Sequence, residues 1–262
     1  MSFSITLTKE AFDQRFKTRG IFVQNSVCTV ERFYDTETNE DLVLRSFFCG
    51  DPQNGVPVYP LTEIKALSRI DSPNVIKILK IISVTDISTI HLVYPFYDFD
   101  LAALISNRMW SNDHLRRTIY LAHQLLEGMK LIHQSGFIHR DIKPANLFVS
   151  KENQLVIGDF GLACAFPLRR HNLHQKEVVT LYYRAPELLY NYSSYNQGID
   201  VWAAGCVIYE MLTQKVLFFN ESGTNEGQLE KIVSLCGVPD DIEEFPEFPE
   251  FDNCCLAEYL SR

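Results

Sequence analysis

Eight residues, His139-Arg140-Asp141-Ile142-Lys143-Pro144-Ala145-Asn146, stand between a helical stretch at 112–134 and an apolar run, Leu147-Phe148-Val149. They constrain the fold more than any other stretch. A short turn, Ser135-Gly136, and the pair Phe137-Ile138 lead into them. A carboxylate, an ammonium and an amide this close together, with apolar flanks on both sides, read as a catalytic loop framed by a helix and a sheet. Asp141 can accept a proton from a substrate hydroxyl, and Lys143 can offset charge on a transferring phosphoryl group. Asn146 offers an amide oxygen suited to magnesium. A second carboxylate, Asp159, arrives after a polar hairpin at 150–153 and a strand at 154–157.

Asp159-Phe160-Gly161 and, further on, Ala185-Pro186-Glu187 complete an ordered set with that loop. In this order the sequence resembles the protein kinases, from about residue 20 to residue 240. The resemblance implies an α+β, two-lobed fold: a small antiparallel β lobe with one helix at 1–96, and a mainly helical lobe at 97–262. It implies ATP and Mg2+ as cofactors, with Asp141 and Lys143 catalytic and Asn146 and Asp159 as metal ligands. The ATP site would be lined by Val23, Val30, Val43, Arg45, Glu63, Phe96, Tyr97, Asp100 and Phe148, with Asp100 a candidate for the ribose hydroxyls.

The first lobe reads as strands at 20–23, 27–33 and 42–48, with polar residues before the third. Two departures from the family pattern fall here. Val23, Asn25 and Cys28 stand where three glycines would cover the nucleotide phosphates, so the roof over the site is bulkier. Arg45 replaces the strand lysine that contacts the inner phosphates, and a guanidinium is longer and directed differently from an ammonium. The following helix, 61–70, puts Glu63 where the lysine's ion-pair partner belongs, so an Arg45–Glu63 pair is expected. The family's cyclin-docking sequence is replaced on this helix by Tyr59-Pro60-Leu61-Thr62-Glu63, which puts a cyclin partner in doubt. Strands are expected at 76–84 and 90–93. Tyr94-Pro95-Phe96-Tyr97 then matches the hinge between lobes, with Tyr94 a bulky gatekeeper.

After Asp159, residues 177–187 resemble the cyclin-dependent branch, where paired valines and an arginine shape a substrate pocket. Thr180 is expected to bond within the catalytic loop. Asp200, in Asp200-Val201-Trp202-Ala203-Ala204-Gly205-Cys206, is expected to tie down that loop's backbone. Family members continue through further helices, whereas this sequence is shortened at its C-terminus and closes on an acidic, proline-punctuated stretch. Glu187 is therefore expected to lack its usual arginine. The threonine phosphorylated in the cyclin-dependent branch is replaced by Gln175. The three arginines that receive its phosphate read Thr62, Arg140 and Cys164.

The net charge of −9 argues against a nucleic-acid partner, and no apolar run has the ~20 residues of a membrane span. Seven cysteines without Cys-x-x-Cys spacing read as free thiols of an intracellular protein, nuclear and/or cytoplasmic. Two function classes stand open. One is a serine/threonine kinase acting on a protein substrate; the resemblance extends to single-subunit kinases that activate other cyclin-dependent kinases, some of which also lack a glycine-rich loop. The other is a pseudokinase, a binding or regulatory module, favoured by the lost glycines and by Arg45. A metal-dependent hydrolase built on Asp141 and Asp159 ranks behind both, for want of a water-activating metal cluster.

Overall fold

The computed structural model describes residues 4–24, 28–49, 58–106, 114–167, 179–189 and 195–237. The first lobe is built on a six-stranded sheet of β1 (Ser4–Leu7), β2 (Phe16–Gln24), β3 (Thr29–Asp35), β4 (Glu40–Phe48), β5 (Lys80–Val84) and β6 (Thr89–Pro95), in the order β1-β5-β6-β4-β3-β2. The β3–β4 hairpin closes at Asn39, whose positive φ of 58° suits an asparagine better than a branched residue. Its register sets Phe33 opposite Leu42 and Asp35 opposite Glu40. Leu42, Leu44, Phe33, Ile82, Val84 and Val93 thereby meet on one face.

That face is covered by α1 (Lys9–Arg15), a helix that the sequence analysis does not anticipate. Thr8 caps it by accepting the Ala11 amide, and Phe12 and Phe16 enter the sheet's core. Arg15 forks onto buried Asp35 at 3.0 and 2.7 Å. Burial pushes the Asp35 carboxyl up, but the Arg15 fork and charge outweigh it and hold the group below its ordinary value. The sheet is mixed, not purely antiparallel as expected, because β1 runs parallel to β5. The expected strand at 76–84 is also shorter. Ile76 and Val75 instead meet Ile157 of the second lobe, and regular pairing starts at Lys80.

α2 (Val58–Leu67) packs behind the sheet, with Glu63 and Ala66 buried. The second lobe holds α3 (Leu101–Ser106), α4 (His114–Gln134), α5 (Pro186–Leu189), α6 (Gly198–Thr213) and α7 (Asn225–Cys236), with short strands β7 (Phe99–Asp100), β8 (Phe137–Ile138), β9 (Leu147–Val149), β10 (Leu155–Ile157) and β11 (Cys164–Ala165). In α4, Leu121, Leu125, Met129 and Ile132 recur at helical spacing and fill the core. Gly128 lets α4 approach the chain: a Cβ there would stand 2.8 Å from the Asn74 carbonyl oxygen. α4 and α6 run antiparallel, since Thr118 Oγ1 donates to the Met211 carbonyl at 3.4 Å while His133 Nε2 meets Asp200 Oδ2 at 2.8 Å. No helix among the described residues is long and apolar enough to cross a membrane.

Candidate active site

Asp200, at the start of α6, fixes the loop that follows β8. Its carboxylate accepts the backbone amides of His139 and Arg140 at 2.8 and 2.9 Å. Arg140 is held at φ 69°, a left-handed conformation that a side chain adopts only when its surroundings impose it. His139 Nε2 donates to the Gly158 carbonyl (2.9 Å) and the ring packs edge-on against Phe160, so this loop and the next are braced together. Asp159 is likewise left-handed, at φ 56°. Gly158 lets the Phe148 ring lie against the backbone: a Cβ there would fall 2.4 Å from the ring, which would have to move.

Within this frame the Asp141 carboxylate collects four contacts from three residues. Its Oδ1 accepts the Thr180 hydroxyl at 3.0 Å and the Thr180 amide at 3.3 Å. Its Oδ2 accepts Asn146 Nδ2 at 2.9 Å and lies 2.7 Å from Lys143 Nζ. Lys143 also donates to Thr180 Oγ1 at 2.9 Å. Thr180 thus bonds inside the catalytic loop, as its position in the sequence suggests. Asn146 Nδ2 donates a second bond to the Asp141 carbonyl at 2.8 Å, which commits the amide nitrogen and leaves the oxygen for another ligand.

A cleft of about 600 Å³ opens between the lobes. Val23, Val30 and Val43 line it from the sheet, Phe96 and Tyr97 from the hinge, Asp100 from β7 and Phe148 from β9, with Arg45, Glu63, Asn146 and Asp159 at its inner end. Every residue expected at a nucleotide site is therefore brought to one cleft. Asp141 and Lys143 lie outside its lining, around the Asp141 carboxylate. Asp100 Oδ1 accepts the Ala103 amide at 2.7 Å and so also caps α3. Asn25 lies outside the described residues, as do 168–178 with Gln175.

The inner end of the cleft holds a coupled charge cluster. Arg45 Nη1 donates to Glu63 Oε2 at 3.1 Å, which is the expected pair, and also to Asp159 Oδ1 at 2.6 Å, which the sequence does not reveal. Tyr94, read as a bulky gatekeeper, donates its hydroxyl to Glu63 Oε1 at 2.7 Å. Burial works against the Arg45 charge, yet the Glu63 and Asp159 carboxylates outweigh it and strengthen its hold on the proton. Burial raises the Glu63 carboxyl despite Arg45, whereas Asp159, also opposed by burial, is held below its ordinary value by the Arg45 charge and hydrogen bond. Phe22, beside Val23, also lines the cleft. A register shift between Ile21 and Val23 breaks the two-residue alternation there, so period-two reading misses it.

These donors fit a hard divalent cation. The Asn146 amide oxygen and the Asp159 carboxylate are oxygen ligands, and Asp159 is 40% exposed to the cleft. Magnesium needs only one or two such protein ligands, because it usually keeps waters and takes phosphate oxygens in the rest of its shell. The apolar walls, with Tyr97 and Phe148 stacked at 6.1 Å and 15°, fit a flat base. Among the described residues Glu187 has no ion pair, and burial raises its carboxyl above the ordinary range.

Comparison with known proteins agrees with this geometry. The profile of a family described as the protein kinase domain matches residues 26–257. Cell division control protein 2 homolog 3 of Trypanosoma brucei brucei is 35% identical over 237 residues, covering 90% of this chain and 73% of that protein. Cyclin-dependent kinase 12 of Caenorhabditis elegans is 35% identical over 222 residues, 81% of this chain. Human cyclin-dependent kinase 9 is 34% identical over 236 residues, 86% of this chain. The chain spans only 30% of the length of the nematode protein and 61% of the human one. By profile and by relatives, this chain belongs to the protein kinase family, in its cyclin-dependent-kinase-like branch.

Proposed function

We propose that the domain transfers the γ-phosphoryl group of ATP to serine or threonine hydroxyls of a protein, with lobes 1–96 and 97–262 meeting over the nucleotide. One observation carries the reading: Asp141 Oδ1 already accepts a hydroxyl, that of Thr180 at 3.0 Å, while Lys143 Nζ stands 2.7 Å from the same carboxylate. A substrate hydroxyl brought beside Thr180 would be oriented by Asp141, and Lys143 would offset charge on the group in transfer. Asn146 and Asp159 would hold magnesium, which neutralises the phosphate oxygens when bound. Arg45 would face the inner phosphates, while Val23, Val30, Val43 and Phe148 exclude water from the base. Positioning and electrostatics supply nearly all the acceleration in this chemistry, and the Asp200 tether provides the positioning.

Within this reading the protein substrate is another cyclin-dependent kinase, and no cyclin is required. The support is the resemblance to single-subunit activating kinases and the altered sequence of α2. A second reading, a pseudokinase, is favoured by the Arg45–Asp159 contact of 2.6 Å, which sets a guanidinium on a metal ligand. The test is radiolabelled ATP with magnesium and a kinase-dead cyclin-dependent kinase. Asp141→Asn should lower turnover by ~100-fold or more with nucleotide affinity unchanged, and Asp159→Asn should abolish the magnesium dependence of ATP binding in calorimetry. Wild-type protein that neither transfers label nor binds ATP with magnesium leaves the pseudokinase.

A further inference from the structure

α2 is seated by a polar clasp as much as by apolar packing. Its buried side chains recur three apart, at Pro60, Glu63 and Ala66, so the centre of its inward face is a carboxylate. Pro60 and Ala66 bring little apolar area, and the larger Ile64 and Leu67 are only partly buried against the core. Glu63 therefore has to be bonded where it lies. Two donors reach it from two strands and divide its oxygens: Arg45 Nη1 of β4 donates to Oε2 at 3.1 Å, and the Tyr94 hydroxyl of β6 donates to Oε1 at 2.7 Å.

The two donors differ in what else they serve. Arg45 Nη1 is shared with Asp159 at 2.6 Å, so a phosphate that draws on the guanidinium weakens its hold on Glu63. The Tyr94 hydroxyl has a single proton and gives it to Glu63. Burial, and then the Glu63 charge, raise that hydroxyl well above its ordinary range, so it stays a donor. The Tyr94 ring meanwhile lines the cleft, one residue before Pro95 ends β6 at the hinge. One side chain thus joins the cleft wall to α2. We propose that Tyr94 is a positioning residue, a latch whose hydroxyl holds α2 so that Glu63 keeps Arg45 at the inner end of the cleft. The proposal rests on the nucleotide reading of that cleft. Phenylalanine would fill the same space and lack only the proton.

Tyr94→Phe in the full chain tests this. Amide exchange in the peptide 58–67, followed by hydrogen–deuterium exchange mass spectrometry, should quicken roughly 10- to 100-fold, as loss of a buried hydrogen bond to a charged group allows. Exchange in α4, at 114–134, should stay as in wild type. Calorimetric affinity for the non-hydrolysable β,γ-imido analogue of ATP, with magnesium, should fall ~5-fold or more. In a Glu63→Met background the same substitution should change neither readout, because its acceptor is gone. Unchanged exchange in α2 overturns the proposal, and so does faster exchange with unchanged affinity. Equal quickening in α4, or an equal loss in the Glu63→Met background, also overturns it, since a tyrosine that merely fills the core would do that. Should Glu63→Met fail to fold, the contrast between α2 and α4 in Tyr94→Phe decides. Wild-type protein that binds no nucleotide overturns the reading of the cleft, and exchange in α2 then decides the latch separately.

Discussion

Replacing Arg45 isolates the charge cluster at the inner end of the cleft. Both ion contacts leave from one atom, Nη1, at 3.1 Å from Glu63 and 2.6 Å from Asp159. A single ammonium placed where Nη1 stands could serve both carboxylates, so Arg45→Lys should be tolerated. Arg45→Ala removes the only cation that an ion pair gives to Glu63 among the described residues, and Glu63 is 2% exposed. Stranding a buried charge in this way costs ~3 kcal/mol, the low end of the usual range because Asp159 opens to the cleft. That corresponds to a Tm lower by roughly 6–12 °C. The loss should depend on pH with a definite sign. The Glu63 carboxyl is already raised by burial in the presence of Arg45, and without the guanidinium it rises further. The folded alanine variant then holds a proton that the unfolded chain releases, so its stability is greatest below about pH 4.5 and falls as pH rises through the folded pKa. Urea titrations of the three proteins between pH 4 and 8, with calorimetric nucleotide titrations, read both effects. Nucleotide affinity of the alanine variant should drop by ~10- to 100-fold, as expected for a lost contact to a charged group. Equal stability and affinity in all three proteins would refute the reasoning, and so would a lysine variant as damaged as the alanine one.

Two further outcomes follow from particular contacts. His91 is buried against the Phe12 ring, 4.5 Å away and stacked, with Nδ1 2.7 Å from Ser46 Oγ. Burial, and secondarily Lys9, pull its pKa down to about 4, so the unfolded chain binds a proton between about 6.5 and 4 that the folded one refuses. Acidification through that window should cost ~3 kcal/mol, and His91→Leu should flatten this part of the profile in urea titrations against pH. Phosphatase treatment should leave activity unchanged, with no activating phosphate between Asp159 and Glu187 in intact-mass spectra. Of the three receptor positions only Arg140 is cationic, and it is buried and bonded to the Leu162 carbonyl at 2.6 Å and the Tyr195 hydroxyl at 2.9 Å. A large activity loss traced to dephosphorylation of Thr180 would refute this.

Several elements were readable from local pattern in the chain. Apolar spacing at 3.6 residues in α4 and alternation in β3 and β4 fix where those elements form, because each must bury one face. The chemistry of the loop from His139 to Asn146 was legible for the same reason: its three functional groups are adjacent in the chain. Asp200 and Thr180 were readable only through resemblance, since neither lies near Asp141 in sequence. Pairings across long separations came only with the packed fold. β1 chooses β5 and a parallel register through its covering helix α1, and no period in the residues 4–7 marks that choice. Phe22 faces the cleft because a bulge breaks alternation. Arg45 reaches Asp159, 114 residues away, because the sheet and the loop after β10 converge at the inner end of the cleft. There the guanidinium has two carboxylates within reach and little water to offset their charge, a condition set by the packing of the two lobes and by no stretch of the chain alone.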